Sequence, residues 1–263
     1  MSSDSTGTGV LDDAYEEAVD DRSRMSFLEH LDELRTRLLY CVYALTVCCG
    51  VSLFFWEPLF AYFIEYFSEN GGQLVYTQPM AGFMFSIKLS ALAGLLVASP
   101  VLFTQLWLFV APGLYAREKK VVIPFVFCAS VLFVGGAYFG HVIAYPSMWR
   151  FFASYAQGPL AYMPALDYSF SLYVRTILGL GLVFQMPMLV FFLARFGVVS
   201  AGFMIRKFKY AVLIIVVVAA VITPSADIPT LVIFSGPMLA LYILSIGVAW
   251  LFGKKRPAGE AGR

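Results

Sequence analysis

Charge, histidine and cysteine are all in short supply in this chain of 263 residues. Only 13% of its residues are charged, against about 25% in soluble domains, so a water-facing surface could not be covered. The net charge is +1, which gives no field for gripping nucleic acid, and no nucleic-acid partner is expected. Histidine occurs twice, at His30 and His141. Glu29, His30 and Glu33 resemble a scrambled zincin helix, but H-E-x-x-H and its inverse are both absent, and one nitrogen donor is too few for zinc. Cys41, Cys48, Cys49 and Cys128 lie in apolar runs without metal-ligand spacing, as expected for small packing residues. No metal and no cofactor is expected. Catalysis has little support either: Gly50-Val51-Ser52-Leu53 matches a G-x-S-x pattern with His141 as a conceivable base, yet nothing in the sequence would orient that imidazole.

What the chain has in quantity is apolar length: 60% hydrophobic residues and a mean hydropathy of +0.79. Six runs have the character of membrane spans: Leu38 to Trp56, Phe83 to Val110, Val121 to Ala144, Phe170 to Ala194, Tyr210 to Ile222 and Ile228 to Phe252. A span needs about 20 apolar residues, so the fifth run is short. Lone strands cannot leave backbone groups unpaired in lipid, which makes the expected class an all-α integral membrane protein of six transmembrane helices. The last two are expected to form a short hairpin about the polar turn at Thr223 to Asp227.

Fifteen of the eighteen Lys and Arg fall on one side if both termini are cytoplasmic; the exceptions are Lys88, Arg150 and Arg175. The positive-inside rule therefore predicts a multi-pass membrane protein with both ends in the cytoplasm. Omitting the fifth span would carry the Lys254-Lys255-Arg256 cluster to the wrong side. Residues 1–25 are polar, acid-rich and without an apolar core, and read as a retained, disordered tail. Residues 26–252 then form one membrane domain and residues 253–263 a basic cytoplasmic tail. Gly136 and Gly140 form a G-x-x-x-G expected to pack helices closely inside the monomer.

The polar residues that remain are unusual in their placing. Ser26-x-x-Glu29 is a capping box, predicting a helix that starts near Phe27 and presents Phe27, Leu28, Leu31, Leu34 and Leu38 on one face. Glu29 and Glu33, four apart, are like-charged neighbours that Arg37 only partly relieves. They are either a patch for a cationic partner or a solvated face neutralised by Arg35 and Arg37. Glu118 lies on the same predicted side, where it could converge with Glu33 or balance Arg117, Lys119 and Lys120. Gln185, in the fourth span before Pro187, must bond either an internal carbonyl freed by Pro187 or a partner helix, since a lone amide is costly in lipid.

Four stretches together resemble a known family: S-F-L-E-H-L-D-E-L-R-T-R-L-L from Ser26, Gln105-x-Trp107-x-Phe109-x-x-Pro112-Gly113-Leu114-Tyr115-x-x-Glu118, Phe184-Gln185-x-Pro187, and Ile222-Thr223-Pro224-Ser225-x-Asp227. The family is TatC, the multispanning receptor subunit of the twin-arginine protein translocase, and the resemblance runs from about Met25 to Trp250. It implies binding of twin-arginine signal peptides of folded cargo, assembly with single-span TatA/TatB-type subunits and with further copies of itself, and no enzymatic step. It also implies that Glu33 and Glu118 hold the arginine pair with Arg35 and Phe109 nearby, and that Gln185 and Pro187 meet the partner helix. His30, Arg37, Pro112 and Asp227 are further candidates within the same motifs. Family members often carry Glu where this chain has Gln185. A different class, a small secondary transporter, would instead use Gln185, Asp227 and Lys88 along a substrate path.

Overall fold

The computed structural model describes residues 7–69, 74–110, 119–155, 163–223 and 227–252, with side chains over 31–69, 74–109, 124–155, 163–223 and 227–251. Among them every named element is a helix: α1 (Gly7–Phe54), α2 (Trp56–Glu69), α3 (Ala81–Val110), α4 (Lys119–Phe139), a π-helical turn (Gly140–Ala144), α5 (Tyr145–Ala153), α6 (Leu166–Val183), α7 (Met186–Arg195), α8 (Ala201–Arg206), α9 (Phe208–Ile222) and α10 (Ile228–Phe252). The only bridge between extended segments in this set joins Val75 to Ala165.

Five stretches are long and apolar enough to cross a membrane: Leu31–Phe54, Ala81–Phe109, Pro124–Ala153, Leu166–Arg195 and Ile228–Leu251, with Phe208–Ile222 as a shorter sixth. The six expected runs are therefore all helical, and two expectations are corrected. First, α10 is not short: its 25 residues rise about 37 Å, more than a hydrocarbon core of about 30 Å. Only α9, with 15 residues, falls below that thickness, at about 22 Å. The shortness of α9 is local, because Thr223 breaks the helix in an extended conformation (φ −80°, ψ 120°). Second, the helix expected to start near Phe27 begins at Gly7, inside the stretch read as a disordered tail. Residues 7–25 contain no proline, and their Ala, Glu and Arg residues are compatible with continuing the helix upstream of the capping box.

Prolines and glycines shape the bundle. Pro100 has no N–H for the carbonyl of Leu96, and the Ser99 hydroxyl donates to that oxygen at 2.7 Å instead, so α3 continues through its proline. The π turn, closed by Tyr145 N–H donating to the Gly140 carbonyl, widens the helix just before Pro146, where an α turn would press the ring against a carbonyl. Gly136 does pack inside the monomer: a Cβ there would stand 2.7 Å from the Leu180 carbonyl oxygen and 2.9 Å from Gly181 Cα. Gly94 does the same between α3 and α1, with its virtual Cβ 2.7 Å from Cys49 Cα and N.

At the α2 end of the bundle, Phe63, Phe67, Phe85, Tyr145, Trp149 and Phe170 form a buried aromatic core, meeting mainly edge to face, as between Phe67 and Trp149 at 5.2 Å, the favoured quadrupole geometry. His141, re-aimed by the π turn, sits among tyrosines: Tyr62 Oη lies 2.9 Å from Nε2 and Tyr173 Oη 3.0 Å from Nδ1. Tyr66 stacks on its ring at 4.2 Å between centroids and donates to the His141 carbonyl at 2.5 Å. Both imidazole nitrogens are thus taken by phenols, and Ser52 is not among their partners. Burial, then the neighbouring Tyr173 and Tyr62, raise the Tyr66 phenol above its ordinary value. A raised folded-state value stabilises the protein below the unfolded phenol value of about 10 and is lost as pH rises beyond it. Thermal scans between pH 8 and pH 11 are accordingly expected to show falling stability, and Tyr66→Phe to remove part of that fall; an identical pH profile in the variant contradicts this.

Candidate functional site

The far end of the bundle, opposite α2, brings together Glu33, Arg37 and Gln105 of the first two motifs. Trp107 of α3 is buried, with its ring stacked on Phe125 of α4 at 4.3 Å and 4.8 Å from Phe192 of α7. At 100° per residue, positions two before and two after Trp107 lie on nearly the opposite face of α3, and four apart they share it. Those positions are Gln105 and Phe109. The aromatic anchor therefore turns this pair towards α1.

On α1 the matching pair is Glu33 and Arg37, also four apart and both half-buried. Arg37 Nη2 lies 3.2 Å from Glu33 Oε1, while its Nη1 donates to Gln105 Oε1 at 3.4 Å. The helices run antiparallel here, since Cys49 of α1 meets Gly94 of α3 while Arg37 meets Gln105. One helical turn further in this register brings Phe109 level with Glu33. A carboxylate, a guanidinium, an amide and an aromatic ring thus share one face between two helices, a site suited to holding cationic groups beside an apolar surface.

The other site candidates divide cleanly. Arg35 is exposed and, two residues from both Glu33 and Arg37, points to the other side of α1, so it does not join them. Pro112 and Glu118 lie outside the described residues, as does the side chain of His30. Gln185 is half-buried at the junction of α6 and α7, and its amide donates to the Ala129 carbonyl of α4 at 3.0 Å. This acceptor is an internal carbonyl, but one of α4 rather than one freed by Pro187. Pro187 is buried in the first turn of α7. Asp227 caps α10, its Oδ2 accepting from Thr230 N–H at 2.8 Å. Lys88 pairs with Asp167 in the first turn of α6 at 3.5 Å. Gln185, Asp227 and Lys88 are each engaged locally on different elements, which leaves the transporter reading without a common path. No cluster able to hold a metal occurs among the described residues.

Gln105 was visible in the sequence only as a member of a motif. Its role needed the register between α1 and α3, although its spacing of four from Phe109 was a legible hint that both share a face. The tyrosines around His141 carried no such signal.

The family model described as Sec-independent protein translocase protein (TatC) matches residues 29–237. A Sec-independent protein translocase protein TatC of Koribacter versatilis is 43% identical over 248 residues, covering 90% of this chain and 91% of the relative. One of Helicobacter pylori is 37% identical over 220 residues, with 84% and 87% covered. Among solved structures, a twin arginine translocase receptor TatC crystallised in DDM superposes with a TM-score of 0.73 at 30% identity, covering 84% of this chain and 99% of that one. Agreement in sequence over most of the chain, and in fold over 84% of it, leads to one conclusion: this chain belongs to the TatC family of Sec-independent protein translocase proteins.

Proposed function

We propose that this protein is the signal-peptide receptor of a twin-arginine translocase, seated in the bacterial cytoplasmic membrane with both termini in the cytoplasm. The carrying observation is the contact of Arg37 with both Glu33 on α1 and Gln105 on α3, a register that puts Phe109, one turn beyond Gln105, on the level of Glu33. A carboxylate there accepts the fork of an arginine, and the apolar surface beside it lowers the local dielectric and strengthens the bond. Glu118 supplies the second carboxylate on this reading, nine residues beyond Phe109. The bias of basic residues supports the orientation. Capture of the purified protein on an immobilised twin-arginine peptide tests the proposal, with a twin-lysine peptide as control. Retention on the first and loss from the second is expected; equal retention on both overturns it.

Single-span TatA/TatB-type subunits and further copies of this chain are the proposed assembly partners within the lipid. A cavity of about 430 Å³ beside the α6–α7 junction, lined by Phe125, Cys128, Pro187, Met188, Phe191 and Leu244, supports a partner helix near Gln185 and Pro187. Gln185→Leu removes the bond to α4 and the polar position together. Membrane hydrogen bonds are worth about 0.6 to 2 kcal/mol, so co-purification of the partner should weaken by a few-fold without vanishing. An unchanged yield of partner removes Gln185 from this role.

A further inference from the structure

Arg37 holds Glu33, one of the two carboxylates that the proposed function assigns to cargo, and it does so in an incomplete way. Its Nη2 reaches a single oxygen of Glu33 at 3.2 Å, its Nη1 reaches Gln105 at 3.4 Å, and its Nε is buried with no hydrogen-bond partner. A side-on arginine fork would instead make two bonds of about 2.7 to 2.9 Å to both carboxylate oxygens. Because the guanidinium is shared between two acceptors on different helices, releasing one leaves it attached to the other.

We infer that Arg37 is an internal competitor for Glu33: an arriving peptide arginine displaces it, and Gln105 retains the displaced guanidinium. This rests on the reading of Glu33 as a peptide-binding carboxylate. The competitor sets a threshold. A peptide arginine exceeds it through bidentate geometry, whereas a lysine, as a point charge with no fork, meets the same displacement penalty with less to offset it. The penalty is common to both peptides, so Arg37 lowers both affinities by the same factor and keeps weak cationic segments unbound. Gln105 has the opposite effect. Without its acceptor oxygen, the displaced guanidinium has no partner at a half-buried place, which opposes displacement.

Binding of fluorescent twin-arginine and twin-lysine peptides to the full chain in detergent, in a double-mutant cycle, tests this. Arg37→Met should tighten both peptides by about two- to tenfold, the worth of a helical ion pair to that of a charged hydrogen bond, with their ratio unchanged. Gln105→Leu should weaken both by a similar factor in the parent and be silent in the Arg37→Met background. Damage to the α1–α3 packing would weaken binding in every variant. Simple charge repulsion by Arg37 would leave the effect of Gln105→Leu equal in both backgrounds. Either pattern overturns the inference, as does an Arg37→Met protein that binds no tighter; Arg37→Gln repeats the measurement where Arg37→Met does not fold. The underlying reading fails separately, when Glu33→Gln binds the twin-arginine peptide as tightly as the parent.

Discussion

Glu33→Lys is expected to abolish binding of a twin-arginine peptide while leaving the protein inserted and helical. The substitution removes an acceptor for which each charged hydrogen bond is worth about 1.5 to 3 kcal/mol, a loss of roughly tenfold to over a hundredfold in affinity. It also places a second cation one turn from Arg37, where like charges repel. Glu33 is only half-buried at the end of α1's apolar stretch, so the bundle should tolerate lysine, whose stem can lie along the helix while its ammonium reaches water. Glu33→Gln, which keeps the shape and removes the charge, should show an intermediate loss. Binding measured at moderate salt, beside circular dichroism of the same samples, checks this. Parent-like affinity in Glu33→Lys would sink the assignment of Glu33.

A substitution far from that carboxylate should have the second large effect. Gly94→Val is expected to lower the melting temperature in detergent and to lose peptide binding as well. The added Cβ would stand 2.7 Å from backbone atoms of Cys49, and neither partner can rotate away, because one is the α1 main chain. The helices must separate, and overpacking of this kind costs about 1 to 3 kcal/mol or more. The separation is felt at the site, since the α1–α3 register alone sets Glu33 against Phe109 and Arg37 against Gln105. Gly135→Ala is the control: a Cβ there meets nothing within 4 Å, and stability should be unchanged or slightly raised, as alanine is the better helix former. Equal melting temperatures for Gly94→Val and the parent would show that the crossing of α1 and α3 can open without penalty.

The sequence by itself determined the class, the six apolar runs, the packing role of Gly136 and the family. Each rests on information that is local along the chain: a run of apolar residues, a small-residue spacing, a motif of a dozen positions. Lipid makes such local signals reliable, because a helix is the only way a single segment can satisfy its own backbone there. The start of α1 at Gly7 and the full length of α10 were misjudged where a cap or a polar turn was given more weight than helix continuity. Only the tertiary structure decided what the polar side chains do. Whether Arg37 relieves Glu33 or also reaches Gln105 depends on a contact between residues 68 apart, fixed by the close crossing at Gly94 and by Trp107 turning the opposite face of α3 towards α1. Gln185 found its acceptor on α4, 56 residues away, and His141 its tyrosines on α2 and α6. These pairings follow from helix register, a property of two packed surfaces at once, and no single stretch of sequence contains it.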